Sequence, residues 1–151
     1  MHRYRRTLEL GGLIAVLACN RPDAAPPAAS NAAADSTLVA TLTTDRAAYA
    51  PGNTVTLRLV LRNVSTAPVT LDFSSAQRYD FAIEDTRAPM WRWSASQMFA
   101  QVLGEETLAP GDSLIYAEQF KGEVPAGLYR AVGTIVRMGE PITATAEFQI
   151  R

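Results

Sequence analysis

Ile142, Ala144, Ala146, Phe148 and Ile150 alternate without a break with Thr143, Thr145, Glu147 and Gln149. A run of that period can bury one face only as a β-strand. The pattern recurs upstream. Val55, Leu57, Leu59 and Leu61 line one face of a second run with Thr56, Arg58 and Arg62 on the other, Leu38, Ala40 and Leu42 keep the same spacing, and Val69, Leu71 and Phe73 leave Thr70 and Asp72 outward. Further strands are predicted over 114–120 and 128–137. Between them, Ala50-Pro51-Gly52-Asn53 and Ala109-Pro110-Gly111-Asp112 repeat one piece of chemistry. Proline presets φ at the first corner and glycine accepts positive φ at the second, so each predicts a type II turn. Short strands with turns at this spacing predict an all-β fold, an antiparallel β-sandwich of about 7–9 strands over roughly 110 residues.

The densest aromatic pattern lies in residues 77–99, which hold both tryptophans. Tyr79, Phe81 and Ile83 fall on one face of a strand, with Asp80, Ala82 and Glu84 on the other. After a break at 86–90, Trp91 and Trp93 share a face with Arg92 opposite, which predicts a second strand joined to the first by a turn containing Pro89. The apolar run 98–103 fits a helical turn or a strand equally well. A tryptophan on an inner strand is core packing before it is a ligand contact, and Tyr129 has the place of a corner tyrosine bonding to backbone. Asp80 and Arg92 read as a cross-strand surface ion pair worth ~0.5 kcal/mol.

These residues carry a resemblance. Tyr79-Asp80-Phe81, then Trp91-Arg92-Trp93-Ser94, then Met98-Phe99, with Leu108-Ala109-Pro110-Gly111-Asp112 and Gly127-Leu128-Tyr129 further on, are similar to the pattern of the bacterial intracellular proteinase inhibitor (BsuPI) family over residues 38–151. The resemblance implies an immunoglobulin-like sandwich related to an inhibitor of an intracellular subtilisin-type serine protease. It makes Tyr79, Asp80, Phe81, Trp91, Arg92, Trp93, Ser94, Met98 and Phe99 the family-motif and interaction candidates. Arg87-Ala88-Pro89 stands where a glycine turn is expected between the two strands.

The only histidine is His2 and the only cysteine is Cys19. A domain beginning at 38 therefore has no Ser-His or Cys-His pair and no zinc site of the usual kind. Glu84-Asp85 and Glu105-Glu106 are adjacent carboxylates, but neighbours on a strand point to opposite faces and neighbours in a loop are solvated. No catalytic residue, metal or cofactor is expected. The net charge of −1, with fourteen basic and fifteen acidic residues, provides no basic footprint for nucleic acid.

Residues 1–18 read as a signal peptide: His2, Arg3, Arg5 and Arg6 precede a short apolar stretch. Val16-Leu17-Ala18-Cys19 resembles a bacterial lipobox, in which Cys19 is the lipidation site; an ordinary secretory signal with an incidental cysteine is the competing reading. Residues 19–37 are rich in alanine and proline, and cannot bury enough apolar surface to offset their ordering entropy. They form a predicted linker between an anchored Cys19 and the domain at 38–151. The expected location is extracytoplasmic, on a membrane through a lipid anchor.

The chain is thus expected to be a non-enzymatic, protein-binding domain, an inhibitor of a subtilisin-like serine protease at the cell envelope. The alternative is a structural or interaction module of the envelope without inhibitory action. The expected partner is accordingly a serine protease or another envelope protein. The connections 86–90, 94–98 and 121–126 are the candidate contact loops.

Overall fold

The structure is a computed structural model in which residues 31–32, 37–85 and 88–151 are described. The predicted signal peptide, Cys19 and most of the linker lie outside the described residues. Among those described, the chain forms β1 (Asn31–Ala32), β2 (Leu38–Thr44), β3 (Ala48–Tyr49), β4 (Val55–Asn63), β5 (Val69–Phe73), β6 (Tyr79–Glu84), β7 (Pro89–Arg92), a 3-10 turn at Trp93–Ser96, β8 (Gly104–Leu108), β9 (Ser113–Phe120), β10 (Gly127–Ile135) and β11 (Ile142–Ile150). One sheet runs β1-β11-β10-β6-β7, a second runs β2-β4-β9, and β5 pairs with β8 in a small third sheet. The protein is an all-β, immunoglobulin-like sandwich. Its pairing is antiparallel except where β3 joins β11 in parallel.

Alternation decides which face each strand buries. Leu38, Ala40 and Leu42 of β2 and Val55, Leu57, Leu59 and Leu61 of β4 are fully buried, opposite Ala131 and Ile135 of β10 and the apolar side of β11. Leu71, Phe73 and Leu108 close the core beneath the small sheet. Both Pro-Gly turns form as their chemistry requires: Gly52 has φ 79° and Gly111 φ 84°, and the N–H of Asn53 and of Asp112 donates back to Ala50 and Ala109 at 3.1 and 3.0 Å. Tyr129 is a corner residue, its hydroxyl donating to the carbonyl of Pro125 at 2.7 Å.

The structure departs from the sequence reading at several points. Asn31 and Ala32, inside the predicted linker, pair with Thr145 and Ala144 of β11. Strand pairing uses backbone groups, and an open sheet edge recruits them whatever the side chains. Residues 104–108 form β8, against β5, where alternation predicted no strand; with Leu108 its only buried residue, β8 has no apolar alternation to read. Residues 98–103 form neither a helical turn nor a strand. The helical turn comes earlier, at Trp93–Ser96, so Trp93 is not on β7 as expected. β6 is covered on both faces, with Asp80 and Ala82 buried as well as Phe81 and Ile83. Asp80 is therefore not half of a surface pair.

Candidate functional site

Of the motif residues at 79–99, Phe81, Arg92 and Ser94 converge on Asp80. Asp80 is 5 % exposed, and its carboxylate accepts four hydrogen bonds: Oδ1 from the N–H of Phe81 at 2.9 Å and of Ser94 at 3.1 Å, Oδ2 from Arg92 Nη1 and Ser94 Oγ, each at 2.7 Å. A buried carboxylate is tolerated when its oxygens are satisfied in this way. The sequence places it there because β7 ends at Arg92. The chain then tightens into the 3-10 turn, folding Ser94 back over the outward face of β6. Ser96 Oγ and the Gln97 N–H donate to the carbonyls of Trp93 and Ser94 and close the turn.

On the inward face the aromatics form a ladder. Tyr79 stacks on Trp93 at 4.6 Å and on Tyr116 of β9 at 4.3 Å, and Trp93 leans on Phe99 at 5.7 Å. Trp91 meets Phe120 at 5.3 Å. Both tryptophans are half-buried against the core, which is packing. The ladder ends in a polar contact, the Tyr79 hydroxyl donating to Glu118 Oε1 at 2.6 Å. Tyr116, Glu118 and Phe120 were not singled out from the sequence. A glutamate on the same strand face as two aromatics was the available signal.

Burial, followed by the Glu118 contact, pushes the Tyr79 phenol up, and burial does the same to Tyr116. Tyr49, buried and donating to Asp45 Oδ1 at 2.7 Å, is pushed up to about 12 from 10.0. A phenol whose folded pKa is raised contributes stability that is complete below pH 10.0 and lost as pH climbs through the folded value. The denaturant midpoint should hold to pH 10.0 and fall steadily toward pH 12, less steeply in Tyr49→Phe. A midpoint independent of pH over that window would contradict the burial of these phenols.

Beyond the 3-10 turn the chain leaves the body of the fold. Gln97 is extended, with φ −110° and ψ 156°. Met98 is 99 % exposed, Leu103 76 % and Val102 54 %, while Phe99 between them is held on Trp93. The Ala76 N–H fastens the far side, donating to the Ala100 carbonyl at 2.8 Å, and Val102 N–H turns back to the same carbonyl at 3.0 Å. Of the motif residues, Phe81 is wholly core, Asp80, Arg92 and Ser94 form the polar knot, Tyr79, Trp91, Trp93 and Phe99 are the packed ladder, and Met98 alone is fully exposed.

The other features offer less chemistry. A shallow depression at the opposite end is lined by Glu84, Asp85, Leu128, Tyr129, Arg130 and Glu147. Three of its four charged side chains are already engaged, Arg130 Nη2 lying 2.8 Å from Glu84 Oε2 and Asp85 Oδ1 accepting from the Ala88 N–H. Among the described residues, no three His, Cys, Asp or Glu side chains are grouped as metal ligands would be.

Comparison with known proteins agrees with this architecture. No curated protein matches the chain. Among solved structures, the sporulation control protein Spo0M of Bacillus subtilis aligns with a TM-score of 0.51 at 14 % identity over 76 % of this chain and 49 % of its own. The CARDB domain of a Pyrococcus furiosus protein aligns over 78 % of this chain and 97 % of its own, at 10 % identity and a TM-score of 0.43. A β-glucosidase of Erythrobacter marinus aligns over 76 % of this chain but only 15 % of its own, at 11 % identity and a TM-score of 0.46. The chain thus spans about half of Spo0M and a small part of the glucosidase. The likeness to Spo0M, at 14 % identity, is one of fold alone. The family model described as intracellular proteinase inhibitor matches residues 42–140, a span that contains the Asp80 knot, the aromatic ladder and the exposed segment after them. The chain belongs to the BsuPI family of intracellular proteinase inhibitors.

Proposed function

We propose that this protein is an exported, lipid-anchored inhibitor of a subtilisin-like serine protease, acting by docking and not by catalysis. The observation that carries the reading is the segment 97–103, which exposes Met98, Val102 and Leu103 while its two sides are tied to the sandwich. A substrate-like inhibitor needs such a segment, because a backbone already held in place loses little entropy on binding. Family membership supports a protease as partner. The signal-like residues 1–18 and the Val16-Leu17-Ala18-Cys19 sequence support an anchor outside the cytoplasm, where two or three acyl chains at ~0.8 kcal/mol per buried methylene would hold the chain on a membrane. The absence of histidine and of cysteine after Cys19 supports a binding role.

The test is residual activity of a secreted subtilisin-type endopeptidase against increasing amounts of the mature chain, prepared without signal or lipid. Activity should fall to zero near equimolar inhibitor. Full activity beside a folded, uncleaved chain would replace this reading with a non-inhibitory envelope module. In cells, the wild-type chain should fractionate with membranes and incorporate labelled fatty acid, and Cys19→Ser should do neither; a wild-type chain found in the cytoplasm would sink the anchoring part.

A further inference from the structure

We infer that Met98 is the side chain that enters the primary specificity pocket of the target, and that the target is a serine endopeptidase whose pocket is apolar and uncharged. The inference rests on the inhibitor reading above and assigns its contact residue. Three observations converge on Met98. It is the most exposed large apolar side chain among the described residues, at 99 %, although an unbranched apolar chain is ordinarily drawn against the surface. Its flanks are fixed, through the Gln97 N–H on the Ser94 carbonyl, the Phe99 ring on Trp93 and the Ala76 N–H on the Ala100 carbonyl. Met98 and Phe99 themselves make no backbone hydrogen bond to any described residue, so their N–H and C=O groups are open to pair with an extended partner strand.

Charge names the pocket. No charged residue occurs from Trp93 to Leu103, so the segment offers nothing to an acidic or basic pocket. Its second exposed group, Val102 and Leu103, is apolar too. The opposite end of the sandwich differs on each count. Its exposed apolar residues, Met90 at 42 % and Leu128 at 57 %, lie on strands β7 and β10 beside Asp85 and Arg130. Val124, in the nearby connection, is packed on the core.

The Asp80 knot then has a role beyond stability. Its bonds to Ser94 and Arg92 fix the start of the segment, and the Tyr79–Trp93–Phe99 contacts fix its middle. Met98 is presented on a backbone with few alternatives, which favours affinity by limiting what docking must order.

Inhibition constants of the mature chain against a panel of subtilisin-type endopeptidases with apolar primary pockets test this. Wild type, Met98→Ala, Met98→Lys and Leu128→Lys are compared, with unchanged tryptophan fluorescence as the check on folding. Met98→Ala should weaken inhibition roughly 10- to 100-fold. Met98→Lys should weaken it by more than ~100-fold, since an ammonium group would be stripped of water in an apolar pocket. Leu128→Lys should leave it unchanged. If wild type inhibits and Met98→Lys inhibits equally, the assignment of Met98 is overturned while the inhibitor reading stands. If Leu128→Lys is the variant that weakens, the contact moves to the opposite end and the assignment is likewise overturned. If wild type inhibits none of the panel, both fall.

Discussion

Asp80→Ala is expected to destabilise the domain by about 2–4 kcal/mol. The carboxylate is buried, and its removal leaves the Phe81 and Ser94 N–H groups without their acceptor. Arg92 is 55 % exposed on its side chain, so its guanidinium can turn to water; that keeps the loss below that of a wholly buried pair. Asp80→Asn keeps an oxygen for the two backbone donors but sets an NH2 against Arg92, and should cost about 1–2 kcal/mol. Arg92→Ala should cost ~1 kcal/mol or less. Denaturant unfolding of the three variants reads this order directly. Arg92→Ala as costly as Asp80→Ala would mean that the ion pair, and not the backbone hydrogen bonds, holds the knot.

Phe81→Ala should cost about 3–5 kcal/mol, the range for deleting a large aromatic from a core that cannot collapse around the space. Phe81 is 0 % exposed and meets the Tyr79 ring edge-on at 5.6 Å. With Cys19 the sole cysteine, no disulfide joins the two sheets, and apolar packing carries them. Met98→Ala, at the other end of the same motif, should change stability by less than ~0.5 kcal/mol. Calorimetry or denaturant unfolding of the pair separates a motif residue that builds the scaffold from one that the scaffold displays. Comparable losses from both would show that Met98 is not the free side chain described.

Much of the sandwich was legible in the residues. Strands β4 and β11 follow from alternation, because a half-buried strand writes its burial into every second residue. The two Pro-Gly turns follow from local backbone preference, and the corner bond of Tyr129 from its place after a turn. The family pattern of Tyr79 to Phe99 was likewise visible. The arrangement of those residues was not. Asp80 looked outward from β6 because alternation assigns faces within one strand and cannot foresee that the chain will fold back over it. The 3-10 turn at Trp93–Ser96 interrupts the period, and the cover it makes depends on a contact between residues 14 apart, Asp80 and Ser94.

The same distinction separates the motif's members. The sequence shows nine motif residues in one stretch, eight of them aromatic or polar, and permits each of them to be core or contact. Local sequence determined the alternating strands, the Pro-Gly turns, the lack of His and Cys in the domain and the signal-like start, since each of these is a property of neighbours along the chain. Only the tertiary structure decided that Asp80 is a buried hub and that Met98 stands free. Cover on a strand's second face, or its lack over an apolar residue in a connection, is set by what packs there from elsewhere in the chain, and no single strand's periodicity contains that information.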